Sequence, residues 1–196
     1  APIAAVTRNA LIMRELLALD VEVHQGAERP LVAAPTFAPE VHGASGFDGP
    51  ALPAPRRPID SADAVGFIID TCAAHPGTWI VATGPLTNIA AALQTGELAD
   101  HVAGISVMGG GRFGNRTAVA EANIATDPEA AAIVFASGVP LKMAGLDVTH
   151  QFQATPDRVD AIDAIGSPLA TVLADALRFF SGTYRGRTDP VSFSSC

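Results

Sequence analysis

Cysteine is nearly absent from this chain. Only Cys72 and Cys196 occur, far apart in sequence, so neither a disulfide framework nor a metal knuckle is built from them, and a reducing compartment suits them. Cys72 reads as a core residue, the usual fate of a free cysteine. Positive charge is also scarce. Twelve Lys and Arg stand against 20 Asp and Glu, a formal net charge of −8, and the basic residues are scattered singly. Such a chain offers no electrostatic footprint for phosphate backbones, which excludes nucleic acid as the expected partner and favours a small neutral one. No apolar run approaches the ~20 residues of a membrane span, and "APIAAVTR" lacks the basic and apolar zones of a signal peptide. The expectation is a cytoplasmic protein with no membrane partner; a homo-oligomer, dimer or tetramer, stays open. The chain begins without Met and stops abruptly after "TDPVSFSSC", which reads as a fragment.

What is present is apolar and regularly ordered. With 48% hydrophobic and 16% charged residues in 196, the chain can bury one substantial core, so residues 1–196 are expected to form a single domain. Ile3 to Leu19 has helical spacing, "VEVH" at 21–24 suggests a short strand, and residues 26–60 read as a Pro/Gly-rich loop. Ser61 and Asp63 announce a helix to about Ala74. "WIVAT" reads as a buried strand, and "GPLTNIAAAL" places Pro85 in a helical first turn. "GISVM" is a second buried strand, Asp127-Pro128 caps a helix ended by Gly138, and "PLKMAG" is a third strand. Helices at about 156–165 and 168–182 close the pattern. Continuous apolar strands alternating with helices predict an α/β, Rossmann-like fold: a mostly parallel sheet with helices on both faces.

Ligands of such sheets bind beyond the carboxyl ends of the strands, where Thr83 and Met108 fall. The stretch "VMGGGRFGNRTAVAEANIATDPEAA" at 107–131 follows one such end. If its polar part is extended, Glu121 and Asn123 leave on one face, and with Asn115 they could hold adjacent hydroxyls of a small polyol, the carboxylate accepting and the amides doing both. Two alternatives stand beside this. Asn123 and Asp127 could merely cap turns with Glu121 solvated, or Gly109, Gly111 and Gly114 could form a dinucleotide fingerprint, although no good helix is predicted to open at the third glycine.

Five motifs, in order, carry a resemblance: "TRNAL" at 7–11, "HG" at 42–43, "VATGPLTNIAAAL" at 81–93, "VMGG" followed by "GN" and "AEANIATDPEAA", and "GLDVTHQ" at 145–151. Together the chain resembles the inosine-uridine preferring nucleoside hydrolases over most of residues 6–182. The resemblance implies calcium-assisted hydrolysis of the N-glycosidic bond of ribonucleosides to free base and ribose, and membership of a nucleoside hydrolase fold. It implies that the Thr83 carbonyl binds Ca2+, that Asn115, Glu121 and Asn123 grip the ribose hydroxyls, that Met108 packs on the sugar, and that His42 lies near the leaving base. A bond broken through an oxocarbenium-like state needs positive charge stabilised and a water activated, and calcium, with six to eight oxygen ligands, can hold that water and two hydroxyls together.

The departures from the family are as specific as the matches. Its aspartate-rich D-x-D-P-G-x-D-D motif, which supplies most calcium carboxylates and the general base, is absent from these residues, so no catalytic residue is assigned. Where the family has H-D-P, this chain has Thr188-Asp189-Pro190. Asp189 is the expected metal ligand, but Thr188 cannot donate a proton as an imidazolium would. Asp48 and Asp147 are the carboxylates that would have to rebuild a metal site. A non-catalytic nucleoside-binding remnant of the fold is the alternative reading.

Overall fold

A computed structural model describes residues 1–184 of the protein. These fall into two compact units. One comprises residues 24–36 and 62–149; the other comprises, among the described residues, 1–23, 37–61 and 150–184.

The first unit is built on three parallel strands, β1 (Trp79–Ala82), β2 (Gly104–Met108) and β3 (Leu141–Ala144), in that spatial order, with the short α7 (Leu146–Thr149) after β3. Ile80 lies opposite Ile105 and Ala82 opposite Val107, while Ile105 faces Leu141 on the other side. Side chains two apart on a strand share a face, so Ile80, Ala82, Ile105, Val107 and Leu141 form one apolar surface. Helices α3 (Ala64–Ala74), α4 (Thr87–Gln94) and α6 (Pro128–Ala136) contribute Cys72, Leu93, Ala131 and Val134 to the same core. Fully burying a Val or Ile stabilises by about 1.5–3 kcal/mol relative to exposure, and Ile105 and Val107 are essentially inaccessible. The expected helical cover is met on this face; on the other, Val81 is 69% exposed and Lys142 Nζ sits 4.5 Å from the ring centre of Trp79.

Cys72 is buried as expected, and burial pushes its thiol pKa up. Asp63 caps α3 through Gly66 N, and Asp127 caps α6 through Ala130 N. Helix α4 begins at Thr87 with Leu86 before it, so Pro85 precedes the first turn rather than occupying it.

In the second unit, α1 (Ile3–Leu16) buries Leu11, Ile12 and Arg14, and the short α2 is Pro39–His42. Helices α8 (Pro156–Asp163) and α9 (Pro168–Tyr184) pack through Val159, Ala174 and Leu177. The expected strand at 21–24 does not form; His24 alone makes a bridge. The reason is local hydrogen bonding. Asp60 Oδ2 accepts from Val23 N at 2.8 Å, Val23 O accepts from Asp60 N, and Arg14 donates to Asp60 at 2.7 Å and to Pro58 O at 3.0 Å. Backbone groups held by a neighbouring loop are not available to a sheet. Among the described residues, no helix is long and apolar enough to cross a membrane.

Candidate active site

The carboxyl ends of β1 and β2 stand side by side because the strands are parallel neighbours, and Thr83 and Met108 occupy them. The chain then turns sharply through three glycines. Gly111 has φ +151°, and a side chain there would press on Phe113 O and Leu146 N, so only glycine suits the turn. The loop returns to α5 (Ala122–Thr126), a single short helix whose N-cap is Glu121.

Glu121 is 4% exposed, and its carboxylate is occupied by backbone donors. Oε1 accepts from Asn123 N at 2.9 Å, while Oε2 accepts from Ile124 N and Gly110 N, both at 3.1 Å. Asn115 Oδ1 takes Ala122 N at 2.9 Å. Every free N–H of the first turn of α5 therefore meets a side chain, with one carboxylate tying that turn to the glycine loop. Asn123, on the first turn itself, donates from Nδ2 to Met108 O at 3.1 Å and Thr83 O at 3.5 Å, with Met108 Sδ at 3.1 Å.

Five sequence-chosen residues are thus brought together: Thr83, Met108, Asn115, Glu121 and Asn123. The arrangement differs from the extended run considered at first. Glu121 is extended, with φ −76° and ψ 150°, but Asn123 is helical, so the pair converges by capping rather than by strand alternation. Glu121 does cap, as the plainer alternative held for its neighbours, yet it is buried and not solvated. The dinucleotide fingerprint fails. No helix opens at Gly114, whose N–H goes to Ala118 O in a turn, and the N–H groups of α5 that could face a pyrophosphate are already taken. Gly110, whose N–H completes the Glu121 set, went unnoticed in the sequence because it lies 11 positions away.

His42 belongs to the other unit. Its ring stacks on Phe180 with centroids 5.5 Å apart, and burial pulls its pKa below the ordinary imidazole value. Gly43, beside it, has φ +74°, and a side chain there would collide with Asp48. Asp48 closes this turn by accepting from the Ser45 hydroxyl, Ser45 N and Ala44 N, which hold its carboxyl below the usual range.

The donors do not fit a calcium ion. Thr83 offers one carbonyl, Asp147 accepts from Arg112 N, and Asp48 lies in the other unit. Among the described residues no three His, Cys, Asp or Glu side chains gather as a metal site, whereas calcium is held by several anionic oxygens at once. Asp189 and Thr188 lie outside the described residues, as does Cys196.

The family model for inosine-uridine preferring nucleoside hydrolases matches residues 1–195. The chain belongs to that family. The pyrimidine-specific ribonucleoside hydrolase RihA of Salmonella typhimurium is 48% identical over 178 residues, covering 88% of this chain and 57% of the relative. Its counterpart in Escherichia coli (strain SMS-3-5 / SECEC) is 46% identical over 177 residues with the same shares. The chain thus spans 57% of the length of these curated relatives. Among solved structures, the purine-preferring ribonucleoside hydrolase from Gardnerella vaginalis superposes with a TM-score of 0.91 at 34% identity, covering 96% of this chain and 62% of that one. The family therefore shares the α/β fold with its parallel sheet and helices.

Proposed function

We propose that this chain carries the ribose-holding part of a ribonucleoside hydrolase site, in which water adds to C1′ of the sugar, the N-glycosidic bond breaks and the base leaves with a proton. The observation that carries the reading is the convergence of the Asn115 and Asn123 amides, the Glu121 carboxylate and the Thr83 carbonyl where β1 and β2 end. Asn115 uses Oδ1 and Asn123 uses Nδ2 within the protein, which leaves a donor on the one and an acceptor on the other for adjacent sugar hydroxyls. Met108 supplies an apolar surface beside them.

The relatives named for pyrimidine specificity share more identity with this chain than the purine-preferring one, so uridine and cytidine are the proposed substrates. Calcium, implied by the family, would rest on the Thr83 carbonyl and Asp189. One second reading is a nucleoside-binding protein without turnover.

Calorimetric titration with uridine and 2′-deoxyuridine tests the proposal. The ribonucleoside should bind about tenfold tighter, the worth of one good hydrogen bond, and Asn123→Ala should erase the difference. Equal affinity for both sugars overturns the reading; discrimination without base release, followed chromatographically with and without calcium, selects the second.

A further inference from the structure

Asp127 is the most completely buried charged side chain of the sheet-bearing unit, at 0% exposure. Its sequence position before Pro128 explains only half of it. Oδ1 accepts from Ala130 N at 3.0 Å, the ordinary cap of α6. Oδ2 does something a cap does not require: it accepts from Thr87 Oγ1 at 2.6 Å, 40 positions away, and from Leu31 N at 3.0 Å, 96 positions away. A hydroxyl bond this short is of the charge-assisted kind. The 24–36 segment is fastened a second time close by, where Ala27 N donates to Asn88 Oδ1 at 2.8 Å.

Both ends of this link are close in sequence to the sugar-holding groups. Thr87 opens α4 directly after the loop that carries Thr83, and Asp127 closes α5, which carries Asn123. Between those groups the Asn123 amide spans Met108 O at 3.1 Å and Thr83 O at 3.5 Å. The longer contact is at the outer limit of a hydrogen bond, so a small retreat of the Thr83 loop breaks it. We propose that Asp127 is a positioning residue, whose Oδ2 holds the Thr83 loop and the 24–36 segment in place against α5 and so sets where the Asn123 amide points. The proposal rests on the function proposed above, since it concerns the same amide.

The test uses the Asn123 side-chain NH2 resonances of the 15N-labelled chain, assigned by their loss in Asn123→Asp, with uridine affinity measured in parallel. Thr87→Val keeps the shape and removes the donor; Thr87→Ser keeps the donor. In Thr87→Val the amide pair should move toward the position of a solvent-exposed asparagine and uridine affinity should fall about tenfold, one hydrogen bond's worth, whereas Thr87→Ser should restore both. Asp127→Asn should shift the amide in the same direction, because an NH2 in the place of Oδ2 leaves the Leu31 N–H without its acceptor; if it fails to fold, the Thr87 pair decides alone. An unmoved amide in a folded but less stable Thr87→Val reduces Asp127 to a structural cap and overturns the proposal. An amide that moves in a protein that binds no uridine leaves the positioning link standing and removes the proposed function instead.

Discussion

In the sheet-bearing unit, Glu121 and Asp127 are 4% and 0% exposed and each accepts three hydrogen bonds, whereas in the helical unit Asp60, Glu15 and Asp48 hold loops with carboxylates that are only part-buried. Glu15 takes Arg56 N and Arg57 N, Asp60 takes Val23 N and Arg14, and Asp48 closes the Ser45 turn. The two arrangements look alike on a contact diagram and differ in consequence. A buried acceptor that loses its place leaves donors stranded away from water, at the full desolvation cost. An exposed one lets water step in, and salt screens what remains. The fully buried carboxylates lie where the candidate sugar-holding groups are; in the helical unit the buried partner is a cation, Arg14, held by the part-exposed Asp60.

The largest expected effect therefore belongs to Glu121→Gln. The amide has one oxygen to accept with and must turn an NH2 toward a backbone N–H, so at least one of Gly110, Asn123 and Ile124 loses its acceptor. The variant should lose about 2–3 kcal/mol, the upper part of the range for a stranded buried donor. Trp79, the chain's single tryptophan, lies on β1, so urea unfolding followed by its fluorescence reads this unit. A midpoint equal to that of the unaltered protein would erase the contrast between the units.

How much of this was legible in the sequence depends on how far each interaction reaches. The three strands are legible because apolar runs such as "WIVA" and "GISVM" favour strands by propensity, although "WIVA" buries only the face of Ile80 and Ala82, and the Asp63 and Asp127 caps are legible because their partners lie three residues on. The polar run was readable as a site but not in its geometry: Asn115, Glu121 and Asn123 were recognisable residue types, while the Glu121 bond to Gly110 and the Asp127 bond to Leu31 span 11 and 96 positions. No local pattern encodes such a partner. "VEVH" misled for the converse reason. Its β-propensity is real, but Arg14 and Asp60 claim its backbone through contacts that only the fold supplies.

A middle-sized effect sharpens the contrast through pH. The Val23 N–H, and after it the Arg14 guanidinium, hold the Asp60 carboxyl below the usual aspartate value in the folded protein. A carboxyl with a depressed folded pKa favours the folded state while the unfolded chain would still be protonating, so this stability is fully present above about pH 4, the value for an unperturbed aspartate. It drains away as the pH falls through the lower folded value. Asp60→Asn should flatten the fall in thermal midpoint below about pH 4. If the slope there is the same with and without the carboxylate, Asp60 is not among the groups that set acid stability.

The smallest effect belongs to the most conspicuous ion cluster. Arg178 on α9 reaches Asp163 at 2.8 Å and Asp160 at 3.0 Å on α8, and Asp175 at 3.6 Å on its own helix. Three acidic partners suggest a strong tether, but every member is at least a third exposed, from 34% to 71% for the carboxylates and 44% for the arginine. Long side chains held in one geometry lose entropy, and water competes for each charge, so such pairs stabilise by less than about 1 kcal/mol. The packing of Val159 against Ala174 and Leu177 holds α8 to α9 without them. Arg178→Gln should lower the thermal midpoint slightly at low salt and by nothing measurable near 1 M salt, where the screening length is about 3 Å. A large loss that persists at high salt would mean that Arg178 behaves like the buried carboxylates, and exposure would no longer be what separates the two kinds of wiring.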